Sequence, residues 1–380
     1  MQHSVESQEG PNWIGYAEFG ERFVAHAVTE QRIIAAVSGM VGQGVTVGPV
    51  NLAPAGIAGF LAEGKVGTPR VSRHDEAVVF HVSVPVTLAV KVLLGGKTLR
   101  LEALLDIDLT LHARTAEPVL IVIDIPPIAA ENVGFLLRAS AVDAAGEWLL
   151  EPIAGWVKRE VAQRVNAMLA EPRARRARIF DLEALVDGRR ARGPVPERFE
   201  WIDYGEFGRR FFERIVTTRR IGEVIDRMAG RPVEVGPLRT GPGDRATVTV
   251  RGAIGTPLLA QREPADPHDG YHRFELVLPV ALDITVRALG SNRYRAEVEI
   301  PLLLTARAAE PLWVVIDPFP PRPEELRLQL EAEGMRAAAF GALAGIRKQV
   351  LNRVLGVVQR EIARGEGRII DVGARIDRLV

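Results

Sequence analysis

From Val78 to Leu94 every second residue is apolar. The even positions read Val78, Phe80, Val82, Val84, Val86, Leu88, Val90, Val92 and Leu94, and the odd ones include His81, Ser83, Pro85, Thr87 and Lys91. A period of two held this long predicts a single half-buried strand. At about 3.3 Å per residue it spans roughly 55 Å, whereas an ordinary strand has about five or six residues. Pro85 in its middle predicts an edge, a bulge or a bend, because proline has no N–H to give to a ladder. A tight turn at Gly95–Lys97 leads into a second alternating stretch, with Leu99, Leu101, Ala103, Leu105, Ile107, Leu109 and Leu111 on one face. Val119–Ile125 is apolar on both faces and reads as a third strand, ended by Pro126 and Pro127.

Helical spacing frames this block. Phe19, Phe23, Ala27, Ile33, Ile34 and Val37 recur at about 3.6 residues, which predicts one amphipathic helical element ahead of the strands. A short Val45–Val47 strand follows it, stopped by Gly48-Pro49. After the strands, Trp148, Ile153, Trp156, Val157, Val161, Val165, Met168 and Leu169 form the stripe of a long helix. A short strand at Arg178–Leu182 closes the block.

The block is then written a second time. Trp13–Pro69 aligns without a gap on Trp201–Pro257, and 24 of those 57 positions are identical. WIGYAEFGERF becomes WIDYGEFGRRF, and GKVGTP becomes GAIGTP. The long alternation returns as Phe274, Leu276, Leu278, Val280, Leu282, Ile284 and Val286. Its partner returns as Tyr294, Ala296, Val298, Ile300, Leu302 and Leu304. A further strand is clearest at Leu326, Leu328 and Leu330. The long helix returns with a stripe from Met335 through Phe340, Leu343, Ile346, Val350 and Val354 to Ile362. The order per copy is one helix, six strands, one helix and a last strand. Long one-faced antiparallel strands need a cover, and the helices are the available cover. The predicted class is α+β, with two tandem repeats, each a long curved antiparallel sheet packed on amphipathic helices. The expected organisation is a disordered tail at 1–12, a first repeat at 13–187, a linker at 188–200 and a second repeat at 201–380.

This pattern resembles the tubular lipid-binding (TULIP) superfamily, which includes the bactericidal/permeability-increasing proteins. The resemblance rests on element order, on the strands Val78–Leu94 and Phe274–Val286, and on the helices 144–170 and 335–363. It implies an acyl chain or other long apolar ligand held between sheet and helix. The residues facing such a ligand are Phe80, Val82, Val84, Leu88, Trp148 and Trp156 in the first copy. In the second they are Phe274, Leu278, Leu282, Phe340 and Ile346. The chain departs from the extracellular members in having no signal-like start and no disulfide.

Composition narrows the chemistry. Lys+Arg and Asp+Glu are 48 each, so the net charge is zero. That excludes a broad basic surface for nucleic acid. No cysteine is present, which excludes disulfides, thiolate catalysis and Cys-ligated metals. No apolar run is long enough for a transmembrane helix, and the polar start is not a secretory signal. The expected compartment is the cytoplasm. The scarcity of Lys beside Arg suggests a GC-rich bacterial coding sequence. The seven His show no metal-ligand spacing, and no nucleophile motif or phosphate loop occurs. No catalytic residue, metal or cofactor is expected. The Arg cluster Arg173, Arg175, Arg176 and Arg178 reads as a solvated helix end.

The strongest polar signature is Arg114, Glu117 and Asp124, repeated as Arg307, Glu310 and Asp317. Arg114 and Arg307 suit an anion anchor, and equally an Arg–carboxylate pair that pins strand ends. Trp13, Tyr16, Glu18 and Phe19, with Trp201, Tyr204, Glu206 and Phe207, read as a docking element at each helix start. The expected function is non-enzymatic binding of a long apolar ligand. The alternative is an assembly protein whose repeats mediate association with a partner or a second copy.

Overall fold

The first copy holds helices α1 (Tyr16–Ala27) and α2 (Glu30–Ser38), then strands β1 (Gly44–Asn51), β2 (Ala58–Val66), β3 (Arg70–Arg73), β4 (Val79–Leu94), β5 (Lys97–Ala116), β6 (Leu120–Asp124) and β7 (Val133–Arg138). Helix α3 (Ala144–Ala170), helix α4 (Pro172–Ala177), strand β8 (Ile179–Asp181) and helix α5 (Leu182–Val186) complete it. The second copy repeats this with α6 (Tyr204–Ile215), α7 (Thr218–Ile225), β9 (Pro232–Thr240), β10 (Ala246–Ile254), β11 (Leu258–Arg262), β12 (His272–Arg287), β13 (Ser291–Ala309), β14 (Trp313–Phe319) and β15 (Arg327–Glu333). It ends with α8 (Leu343–Arg364), β16 (Ile369–Asp371) and α9 (Val372–Leu379). The structure is a computed structural model that describes residues 11–51, 58–74, 78–94, 97–138, 144–189, 196–226, 229–240, 245–262, 271–287, 290–333, 343–364 and 368–379.

These strands form two curled antiparallel sheets with the same order. The first runs β1-β2-β4-β5-β6-β8, with β3 beside β4 and β7 beside β5. The second runs β9-β10-β12-β13-β14-β16, with β11 beside β12 and β15 beside β13. The fold is α+β, in two similar halves.

The hairpin β4–β5 is the spine of the first sheet. Its sixteen-residue pairing runs from Val79↔His112 to Leu94↔Lys97. Each spine strand serves two partners in succession. β4 pairs with β2 through Val86 and with β3 from Ser83; β5 pairs with β7 at Glu102–Ile107 and with β6 at His112–Ala116. Pro85 sits where β2 hands over to β3. Its carbonyl accepts from Gly67 N–H at 2.7 Å. A strand residue points its N–H and C=O to the same side, so the missing N–H of Pro85 faces that handover and leaves the β5 ladder intact. Pro279 repeats the arrangement with Gly255 at 2.7 Å. Proline therefore marks a junction inside the sheet.

The even face of β4 is buried and the odd face is exposed or half-buried, as its alternation predicts. The repeated Gly64 and Gly252 are explained by crowding. A Cβ at Gly64 would lie 1.9 Å from the Thr87 carbonyl oxygen, and one at Gly252 would lie 2.0 Å from that of Ala281.

Two expectations need correction. The first helical element is two helices, because Thr29 ends α1 and caps α2, its side chain accepting from Arg32 N–H. Arg32 in turn donates to the carbonyls of His26 and Ala27 at the end of α1 (3.1 and 2.9 Å). Thr217 and Arg220 repeat this joint between α6 and α7. Gly48-Pro49 also does not stop β1. The strand continues through a bulge between Val47 and Val50, which Gly48 makes feasible at φ 96°.

The compact units are not the sequence repeats. One unit is Gly20–Asp203. The other joins the residues up to Phe19 to Tyr204–Val380. The start of each copy is thus counted with the sheet of the other copy.

Val84 on the buried face is 6% exposed. Val84→Asp is expected to cost more than about 3 kcal/mol, as an unpaired buried charge does. Thr87→Asp, exposed opposite Lys65, is expected to change stability by less than about 0.5 kcal/mol. Urea denaturation of both variants checks the pair.

Candidate functional site

Three places carry chemistry beyond plain packing: the strip between spine and cover helix, the docking points of the two tryptophans, and the outer sheet face.

The strip is made by the inner side chains of each spine. Phe80, Val82, Val84 and Leu88 are buried in the first copy, and Phe274, Leu278 and Leu282 in the second. On helix α3, Val157, Val161 and Ala162 are buried. Trp156, half-buried, meets the Phe60 ring edge-on at 4.8 Å. The helix is held by Asn166, whose amide donates to Ile128 O (2.8 Å) and accepts from Ile128 N–H (2.9 Å). In the second copy Val350 and Val354 of α8 are buried. Trp148 and Ile346 lie on these helices, but their side chains, and all of Phe340, lie outside the described residues.

The tryptophan segments dock as short strands. Trp201 bridges Ala116 in antiparallel fashion, and Trp13 bridges Ala309. At the first point Ile202 N–H donates to Thr115 O (3.1 Å) and Glu117 N–H to Glu200 O (3.0 Å). At the second, Ile14 N–H donates to Ala308 O (3.1 Å) and Glu310 N–H to Asn12 O (2.9 Å). The Arg114 guanidinium lies over the Trp201 ring at 3.9 Å, and that of Arg307 lies over Trp13 at 3.9 Å. Asp124 sits 3.4 Å from Arg114, while Asp317 pairs with Arg368 at 3.4 Å. The structure therefore gives each arginine a stacking partner that the sequence reading did not include. The signal was there as two identical Trp-Ile pairs, but the identity of the partner strand was not.

Docking continues into the helices. Phe19 packs against Phe211 and Phe212 at 5.1 and 5.3 Å, and Tyr16 against Phe212 at 5.1 Å. Gly208 permits the approach, since a Cβ there would fall 2.2 Å from Tyr16 O. In the first turn of α6, Glu206 accepts from Arg209 (2.6 and 2.8 Å) and from Arg210 (2.5 Å). These hydrogen bonds, that of Arg209 foremost, hold its carboxyl down at about 2.

The Arg cluster closes helix ends. Arg178 donates to Leu169 O (2.7 Å) at the end of α3, and burial lowers its pKa while Asp124 opposes that shift. Arg175 donates to Pro196 O at 2.7 Å. Asp181 and Asp371 cap the helices that follow β8 and β16. Among the described residues no group of His, Asp and Glu is placed to hold a metal ion, and no helix is long and apolar enough to cross a membrane.

The outer face of the first sheet carries a groove of about 330 Å³ lined by Pro85, Thr87, Leu104, Asp106, Gly134 and Leu136 among others. Leu136 there is 59% exposed.

The sequence matches no protein-family model and no curated protein. Among solved structures, lipopolysaccharide binding protein aligns over 92% of this chain and 91% of its own, at 9% identity and a TM-score of 0.29. P47 of Clostridium botulinum E1 aligns over 96% and 91%, at 9% identity and a TM-score of 0.26. P47 from Clostridium botulinum A2 aligns over 92% and 88%, at 8% identity and a TM-score of 0.23. At TM-scores this low the likenesses say nothing about what the chain binds.

Two outcomes follow from this geometry. Double-mutant cycles of Arg114→Ala with Trp201→Ala, and of Arg307→Ala with Trp13→Ala, are expected to give coupling energies of about 0.5–1 kcal/mol in urea unfolding. Purely additive losses would mean the stacks hold nothing. A carboxyl whose folded pKa is depressed stabilises above its unfolded value and loses that contribution as pH falls through the folded one. Glu206→Gln is therefore expected to be less stable than wild type at pH 7, by under about 1 kcal/mol for a partly exposed pair. The gap is expected to close as the pH drops from 4.5 to about 2.

Proposed function

We propose that the chain is a non-enzymatic binding protein that takes up a long apolar ligand, such as an acyl chain, between the spine hairpin and the cover helix of each copy. The observation that carries this reading is the length of the apolar face. β4 has 16 residues and β5 has 20, and β12 and β13 have 16 and 19. An ordinary strand has about five or six residues. A face of roughly 50 Å matches an extended hydrocarbon chain in length and in chemistry.

Phe80 and Leu88 on this strip are each 0% exposed. Uptake on this reading requires the cover helix to lift from the sheet. Asn166 then serves as the fixed end of α3, because its two hydrogen bonds to Ile128 join the helix to the segment after β6.

The test is native mass spectrometry of the purified chain together with a fluorescent fatty-acid titration. Saturable binding and a co-purified lipid are expected. Leu88→Trp and Leu282→Trp fill the strip and are expected to weaken binding at least about tenfold, at a stability cost of about 1–3 kcal/mol from overpacking. If wild type shows neither saturable binding nor extractable lipid, the ligand reading fails.

A further inference from the structure

The two copies give each other a control that few proteins have. A residue that the fold needs at a given place is needed in both copies. A residue present in one copy alone answers to something else.

On the outer face of the second sheet, Leu258 of β11, Val277 of β12 and Pro301 of β13 stand in one cross-strand row. The next row runs Ala260, Glu275, Leu303 and Phe319, so that Leu303 and Phe319 continue the apolar surface along β13 and β14 beside the charged Glu275. Leu258 is 65% exposed and Phe319 52%, and Val277, Pro301 and Leu303 are half-buried. The matching row of the first copy is Arg70, Ser83 and Asp108. There the surface is polar: Ser83 donates to Asp106 at 2.5 Å, and Arg70 lies 3.5 Å from the same carboxylate. The same strands at the same register therefore accept a polar row. The apolar row of the second copy is not demanded by folding, and contiguous exposed apolar surface marks an interaction site.

We infer that this row is a self-association surface, and that its occupant is a second copy of this chain. The charge around it selects that partner. The row lies between two flanking ion pairs, Arg262–Glu275 at 3.3 Å and Arg327–Glu299 at 3.7 Å. These pairs put both signs on the rim, with Arg273 standing opposite Arg262 beside them. An anionic membrane or a strongly charged protein needs an excess of one sign to be recognised. A rim of mixed sign is instead complementary to itself when rotated by a two-fold axis, which sets Arg against Glu. The chain carries 48 basic and 48 acidic residues, so no net repulsion keeps two copies apart.

The experiment uses the full chain in sedimentation equilibrium from about 1 to 100 µM. A dimer is expected. The variant carries Leu258→Arg, Val277→Ser and Pro301→Asp, which transplants the first copy's row onto the second. An unchanged thermal melt is expected, because these residues already stand at these positions in the same fold. The dimer dissociation constant is expected to rise at least about 30-fold. Phe319→Ser, at the exposed end of β14, gives a second and independent readout in the same direction. A wild type that stays monomeric across the range overturns the inference, and so does a dimer that neither variant weakens. Co-sedimentation of a monomeric wild type with phosphatidylcholine vesicles, lost in the triple variant, would assign the row to a lipid surface and equally overturn it.

Discussion

Each half depends on keeping one face of a long hairpin away from water. The inner side chains of β4 and β5 alternate without a break, and a half-apolar sheet is stable only when that face is covered. The remaining elements answer to this demand. The long helix of each copy buries an apolar stripe of its own, the short strands extend the sheet sideways, and Phe19, Phe23, Phe207, Phe211 and Phe212 of the starting helices are buried. Each strand of the hairpin supports two partners in turn, and Pro85 and Pro279 stand where those partners change. Pro85 occupies the one place along β4 where an N–H is not missed. Gly64 occupies a place where the backbone of β4 leaves no room for a Cβ.

The same logic explains why some polar residues recur in both copies. Thr29 and Arg32 make the joint between two helices, each satisfying backbone groups that a helix end leaves open. Arg178 and Asp181 do so at the other end of the copy. Arg114 and Arg307 receive tryptophan rings. Each of these repeated contacts joins one element of the fold to another. Function is to be sought where the copies differ, or where the repeated structure exceeds what folding requires. The outer rows around Leu258 and Arg70 are the first kind of place. The length of the spine strip is the second.

Exchange of the starting segments gives the duplication a physical meaning. Trp13 docks on the last turn of pairing in β13, and Trp201 docks on that of β5, with the same bridge and the same stacked arginine. The boundaries drawn by sequence similarity, at 13–187 and 201–380, follow the gene-like repeat. The boundaries drawn by packing fall inside α1 and just ahead of α6, because a few backbone hydrogen bonds and a stacked ring hold each segment to the neighbouring copy's sheet.

Much of this fold was legible from local pattern alone. The strand at Val78–Leu94, its partner, the strand at Val119–Ile125 and the cover helices all follow from period-two and helical spacing, because burial of one face imprints its period on the residues of that same element. The duplication was legible because 24 of 57 aligned positions are identical, and segments that share their buried and turn residues fold alike. The break at Thr29 and the continuation through Gly48 were missed, since a cap and a bulge depend on single hydrogen bonds that leave no period. The partner of Arg114 was beyond reach for a deeper reason. Trp201 lies far along the chain, and nothing in either segment encodes which strand end it meets. Alternation likewise reads the same whether the strip faces a helix or a ligand. The sequence alone determined which residues turn inward; only the tertiary structure decided what they turn toward, because contacts between distant segments are set by the packing of the whole and not by the period of any one part.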